Sequence, residues 1–177
     1  MVSSMTTDMQ PGQDLTGPGQ TAVSVLAGNA VDWVSTAPGK DFKPLHFEPN
    51  GWSELMRLEP GTVVPRHRHS GDAHVYTISG QRRLLDTGAI IKAGDFVFEP
   101  AGAVDSWQAI GDEPCVVHLK LSGRVEYLDD EGRVTGTADS ASQLQAYMEW
   151  CTAAGRRPEP GLMGQSRAGT CAQAGSE

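Results

Sequence analysis

Short apolar or alternating segments, separated by turn signals rich in glycine and proline, fill the middle of the chain. These segments are too short for most helices and have the length and period of β-strands. The pattern predicts ten or so strands, in AVDWVS, KPLHF, WSELMRL, TVVPRHRH, AHVYTIS, QRRLLD, AII, FVFEP, DSWQAI, CVVHLKL and a hairpin VEYLDDEGRVTG. Strands at this spacing indicate an all-β sandwich or closed barrel.

One helix is predicted after the strands, at about residues 140–154. Asp139 or Ser140 can cap its first turn. Positions i, i+3, i+4 and i+7 then form an apolar stripe, made of Leu144, Tyr147, Met148 and Cys151. We expect this stripe to pack on the outside of the sheet or on a partner subunit, and not to form a cofactor site.

The two ends of the chain differ in composition from the middle. Residues 1–22 and 158–177 are rich in small and polar residues and in proline, and cannot bury enough apolar surface to offset the entropy of ordering. We therefore predict two disordered tails around one domain at residues 23–157. A chain of 177 residues is long enough for one such core and short for two.

Charge and hydropathy exclude several classes of function. The formal net charge of −8, without a long basic run, disfavours DNA or RNA binding. No apolar stretch is long enough for a membrane span, and the N-terminus lacks the features of a signal peptide, so a cytoplasmic protein is expected. Three cysteines at wide spacings, Cys115, Cys151 and Cys171, fit neither a disulfide framework nor a CxxC metal site.

The segment PRHRHSGDAH at residues 65–74 contains three of the five histidines. On a strand, His67 and His69 point to one side and Arg66 and Arg68 to the other. Two neighbouring imidazoles form a chelating pair suited to Zn, Fe, Cu or Ni.

The residues around this pair resemble the two signature motifs of the cupin superfamily. The first motif matches at Gly61, His67, His69 and Gly80, and the second at Gly94, Pro100 and Gly102. The resemblance implies a single-domain jelly-roll barrel, the double-stranded β-helix. The glutamate of the first motif falls on Ala73 and the histidine of the second on Asp105. The implied ligands are then His67, His69 and Asp105, with His118 and His74 in reserve.

A narrower resemblance links residues 30–157 to the cupins grouped with 2,4'-dihydroxyacetophenone dioxygenase and the acetylacetone-cleaving dioxygenase. It is carried by the blocks EPAG, DSW and GDEP. The resemblance implies cleavage of a carbon–carbon bond by O₂ in a ketone that binds Fe(II) through two oxygen atoms. Two histidines and one carboxylate leave about three positions on the iron for the substrate and O₂.

Further side chains are candidates for the site. Glu99 could orient a ligand or accept the enol proton of the substrate. An aromatic pocket wall is expected from Tyr76, Phe96, Phe98 and Trp107, and Arg82 or Arg83 could hold a phenolate or carboxylate.

Two other functions remain open from the sequence. One is a metal-binding cupin without catalysis, such as the zinc-binding domain of an anti-sigma regulator, and the other is a cupin isomerase or lyase that uses Zn, Mn or Ni and no O₂. The expected partners are a small-molecule ketone and O₂, with neither nucleic acid nor membrane. Exposed edge strands and the amphipathic helix are compatible with a homodimer or a higher homo-oligomer.

Overall fold

Twelve strands and one α-helix form the described part of the chain. The computed structural model describes residues 25–163. The elements are β1 (Val34–Ala37), β2 (Lys40–Glu48), β3 (Gly51–Leu58), β4 (Val63–His69), β5 (Ala73–Ser79), β6 (Gln81–Leu84), β7 (Ile90–Lys92), β8 (Phe96–Glu99), β9 (Val104–Ile110), β10 (Cys115–Ser122), β11 (Arg124–Leu128), β12 (Val134–Asp139), α1 (Ser140–Ala153) and a 3₁₀ helix (Pro160–Leu162). The predicted all-β class with one C-terminal helix is confirmed.

The strands form two six-stranded antiparallel sheets. The first sheet has the order β1-β2-β3-β10-β5-β8, and the second has the order β12-β11-β4-β9-β6-β7. Consecutive strands often lie in different sheets, as β4 and β5 do, which is the connectivity of a jelly roll. The inner faces of both sheets surround one core, and the candidate site lies between them.

Gly80 lies where the chain passes from β5 in the first sheet to β6 in the second. Its φ is +71°, and a Cβ atom there would lie 2.6 Å from the carbonyl oxygen of Pro114. Only glycine fits both the backbone angle and the close approach. The glycine that closes the first motif is therefore required by the corner between the sheets.

The helix begins at the predicted cap. Asp139 accepts a hydrogen bond from the Ser142 backbone N–H at 2.8 Å, and the Ser142 hydroxyl is bonded to the Asp139 backbone N–H. Tyr147 and Cys151 are buried in the core as expected, whereas Met148 is 40% exposed. The predicted stripe is wrong at Met148, because the buried face turns toward Ala146 and Trp150.

Residues 158–163, which the sequence assigned to a disordered tail, pack against the domain. The Tyr147 hydroxyl accepts a hydrogen bond of 2.9 Å from the Glu159 backbone N–H, and Leu162 is buried. Met163 forms a parallel bridge with Phe47 of β2. The tails predicted at residues 1–22 and 164–177 lie outside the described residues. Within residues 25–163, the helices are too short or too polar to cross a bilayer.

Candidate metal centre

Strand β4 supplies two buried imidazoles. Its pairing with β9 shifts register between Val64 and His67, so that both of these residues face the interior although they are three positions apart. A bulge of this kind re-aims the following side chains. His67 and His69 then alternate inward, each 5% exposed, as the sequence predicted. Arg66 and Arg68 point outward and pair with Asp86 and Glu126.

The tautomer of His67 is fixed by its backbone partner. Its Nδ1 lies 2.8 Å from the carbonyl oxygen of Pro65, which can only accept, so Nδ1 carries the proton. Burial lowers the pKa of His67 to about 4, and the ring is neutral at pH 7. His67 Nε2 therefore presents a lone pair to the interior.

Two carboxylates converge on the same point from β8 and β9, which lie in different sheets. Glu99 Oε2 at the end of β8 lies 2.8 Å from His69 Nε2. Asp105 Oδ1 on β9 lies 3.0 Å from His67 Nε2. The two Nε2 atoms are 3.1 Å apart. Glu99 is therefore buried in the cluster and is not an exposed strand end.

The cluster contains more hydrogen-bond acceptors than protons to share among them. His67 Nε2 and Asp105 Oδ1 are close, yet neither carries a proton, and Asp105 Oδ1 has no hydrogen-bond partner within residues 25–163. A single proton on His69 cannot satisfy His67, Glu99 and Asp105 together. A buried group of lone pairs and negative charges is stabilised by a cation.

The pKa values of the two carboxyl groups are shifted in opposite directions. Burial and the charge of Glu99 raise the pKa of Asp105 to about 6. Burial also acts to raise the pKa of Glu99, but the hydrogen bond with His69 and the charges of His69 and Arg82 outweigh it and hold that pKa below its usual value. Burial and the charge of Glu99 therefore disfavour the ionised form of Asp105, and a bound cation would stabilise that form.

Among the described residues, His67, His69, Glu99 and Asp105 form a group that could hold a metal ion. One ligand atom from each lies within 4.8 Å of all the others. Two imidazoles and two carboxylates suit Fe(II), Mn(II), Ni(II) or Zn(II). The donor set therefore fits a divalent transition metal without identifying it.

Three residues of the cluster, His67, His69 and Glu99, line an interior cavity. About 50 Å³ of this cavity is open to water-sized molecules, enough for a few waters. Apolar and aromatic side chains dominate its lining, among them Trp52, Met56, Val64, Val75, Trp107, Leu119 and Leu121. Trp107 is the one predicted wall residue that lines it.

The other predicted wall residues face away from the cavity. Tyr76, Phe96 and Phe98 are between 46% and 57% exposed, and they lie on the outer face of the first sheet. The prediction of a pocket wall there is wrong, because β8 turns Val97 and Glu99 inward and its two phenylalanines outward. Arg83 is likewise exposed, since alternation along β6 places Arg82 inside.

The two reserve histidines do not reach the cluster. Strand β10 alternates without interruption, so His118 stays on the outer face, where its Nε2 lies 2.9 Å from the Ser53 hydroxyl. His74 is exposed beside the rings of Phe96 and Phe98. A slip that would turn either residue inward is not present.

Four polar residues of the cavity lining escaped the sequence reasoning. They are Lys40, Glu54, Tyr127 and Gln143, and Glu54 is 1% exposed. Burial raises the pKa of Glu54 to about 7, against the opposing effects of its hydrogen bond from Trp52 and the charge of Lys40. The available signal was the alternation of WSELMRL, which places Glu54 on the same face as Trp52.

The fold and the site together define a cupin. The family model described as a ChrR cupin-like domain matches residues 21–124, more than half of the chain. The chain therefore belongs to the ChrR cupin-like domain family. No curated protein matches it.

Solved structures support the same fold. An RmlC-like cupin protein from Ralstonia eutropha is 26% identical, with a TM-score of 0.73, over 78% of this chain and 92% of its own. An acetylacetone dioxygenase from Acinetobacter johnsonii is 18% identical, with a TM-score of 0.65, over 78% of this chain and 99% of its own. At such identity the second likeness concerns the fold alone.

Proposed function

We propose that this protein is a non-heme Fe(II)-dependent dioxygenase that cleaves a carbon–carbon bond of a small hydroxyketone or β-diketone. The observation that carries the proposal is the convergence of two imidazoles and two carboxylates, of which His67, His69 and Glu99 line a small, largely apolar cavity. Two further observations support the reaction class. A protein with the same fold is an acetylacetone dioxygenase, and this chain contains the blocks EPAG, DSW and GDEP.

His67, His69 and Asp105 are assigned as the metal ligands and Glu99 as the proton acceptor. Three protein ligands leave room for two oxygen atoms of the ketone and for O₂, whereas four leave too little. Iron, when bound, supplies Lewis acidity toward the ketone oxygens and electrons for the reaction with O₂. Asp105 Oδ1 is assigned as the third ligand because it is buried without a hydrogen-bond partner within residues 25–163 and lies 3.0 Å from His67 Nε2. Glu99 lines the cavity in which the ketone would lie.

The remaining roles belong to the protein. The Pro65 carbonyl holds His67 in the tautomer that exposes Nε2. Glu99 takes the proton that the ketone loses when it binds as an enolate. Trp107 and Leu119 exclude water from the reacting atoms. Cleavage places both atoms of O₂ in the two products, so no external reductant is needed.

The test is O₂ uptake by protein reloaded anaerobically with Fe(II). We expect uptake equal to the ketone consumed for one or more 2-hydroxyacetophenones or β-diketones. His67→Ala and Asp105→Asn should lose bound iron and activity, and Glu99→Gln should keep iron at saturation but lose uptake. His74→Ala is the matched control, because this histidine is exposed outside the barrel. Absence of uptake with every ketone would overturn the proposal, and turnover without O₂ would indicate an isomerase or lyase.

A second candidate is a zinc-binding domain without catalysis. It is favoured by the number of converging residues, since four protein ligands complete the tetrahedral coordination of a structural zinc site. Zinc content near one per chain after purification, with all four residues needed to retain it and no uptake after iron loading, would support this alternative.

A further inference from the structure

Arg82 is a buried guanidinium that contacts the cavity without a hydrogen-bond partner. Its side chain is 0% exposed and lines the same cavity as the metal cluster. Its Nε, Nη1 and Nη2 atoms are all buried, and none is hydrogen-bonded within residues 25–163. Leaving such donors unpaired costs free energy, and more so for a charged group. The position therefore calls for an acceptor that enters the cavity.

The surroundings of Arg82 restrict where that acceptor can lie. Its Cζ atom lies 5.0 Å from the centre of the Trp107 ring, which contacts the guanidinium face. The N–H groups lie in the plane of the guanidinium and remain free for a ligand. An arginine fork binds two oxygen atoms of one planar anion through parallel hydrogen bonds.

Charge also favours an anion at this point. Glu99 and Asp105 act on Arg82 electrostatically but do not hydrogen-bond to it. A divalent metal held by two neutral imidazoles would balance these two carboxylates. The positive charge of Arg82 would then be unmatched, and one negative charge on a ligand would neutralise it.

We propose that Arg82 binds the carboxylate of a small ketone, so that the ligand of this cavity is an oxo acid whose carbonyl faces the metal residues. The ketone part of this assignment rests on the proposed function. Binding of the carboxylate does not, because it requires the guanidinium and no turnover.

Arg83 provides a matched control. It is the same residue type at the next position of β6, but its side chain is exposed on the opposite face. Arg82→Met removes the charge and keeps a side chain of similar length, and Arg82→Lys keeps the charge but removes the fork. The Arg83→Met variant changes the net charge of the protein by the same amount as Arg82→Met.

The experiment is calorimetric titration of the zinc-loaded full chain with pyruvate and with its neutral analogue pyruvamide. Zinc excludes O₂ chemistry, so binding is measured alone. We expect pyruvate to bind at least about tenfold more tightly than pyruvamide, and Arg82→Met to weaken pyruvate by about tenfold to a hundredfold. Pyruvamide affinity should be nearly unchanged in Arg82→Met, and Arg83→Met should bind both compounds as the unmodified protein does.

Equal affinity of the unmodified protein for pyruvate and pyruvamide would overturn the inference, even if no Arg82 variant folds. Undiminished pyruvate binding by Arg82→Met would overturn it as well. The proposed function fails separately: carboxylate binding without O₂ uptake by the iron form rejects the dioxygenase alone. Rapid O₂ uptake with neutral diketones, together with equal affinity for pyruvate and pyruvamide, would reject the role of Arg82 and leave the proposed function standing.

Discussion

Ala73 of β5 and Glu99 of β8 are directly paired in the first sheet, and both side chains point into the barrel. Ala73 stands where the cupin motif would have its glutamate. The small side chain leaves space beside it, and the neighbouring strand supplies a carboxylate to the same region. Glu99 thus brings a carboxylate to the cluster from the strand next to the one on which the motif has its glutamate.

Exchange of the two residues tests this relationship. Glu99→Ala should lower metal affinity by about tenfold, the effect of removing a group that contacts a ligand. Ala73→Glu combined with Glu99→Ala should recover most of the loss, because paired positions on one face lie side by side. Calorimetric titration with Zn(II) measures both. A double variant no better than Glu99→Ala alone would show that the two positions are not equivalent.

Much of the fold and the four residues of the cluster can be predicted from the sequence, for identifiable reasons. Strand alternation correctly paired His67 with His69, because a period of two is a property of every strand. Alternation does not say which face is inside, and the predicted pocket wall at Phe96 and Phe98 is on the wrong face of β8. Phe96 and Phe98 are outside because Glu99 must reach the cluster. The sequence makes Glu99 a candidate to orient a ligand or to accept the enol proton, but its pairing with Ala73 is not visible along the chain.

Aromatic substitutions on the inner and outer faces of the barrel should have different effects on ligand binding. Trp107→Ala should destabilise the protein by about 3–5 kcal/mol and weaken ligand binding, because it removes a buried ring from the cavity wall. Phe98→Ser, in a side chain that is 51% exposed, should leave ligand affinity unchanged. Urea unfolding and titration with pyruvate give the two quantities. Loss of ligand affinity in Phe98→Ser would place part of the binding site on the outer face.

Because of Glu54, the stability of the folded protein should fall as pH rises. Its pKa is about 7 in the folded protein, against an ordinary value of 4.5. Between these values the folded state binds more protons than the unfolded state, so stability falls as pH rises through this window and is constant above it. The fall attributable to Glu54 is about 3 kcal/mol at most.

The variant Glu54→Gln isolates this contribution. Its free energy of unfolding relative to that of the unmodified protein should increase between pH 4 and pH 8, because glutamine does not titrate. All other groups titrate in both proteins and cancel in the difference. Urea unfolding of metal-free protein across this range measures it. Parallel stability curves would mean that Glu54 has an ordinary pKa.

Residues 158–163 should stabilise the domain, although their composition predicts a disordered tail. Leu162 is 1% exposed and lies in the core cluster with Phe47 and Tyr147, whereas its neighbour Met163 is 48% exposed. Leu162→Ala should therefore cost about 2–5 kcal/mol of stability, and Met163→Ala should cost much less. Urea unfolding of both variants makes the comparison at adjacent positions. Equal, small effects would show that the segment does not pack on the domain in solution, and the boundary predicted at residue 157 would then be correct.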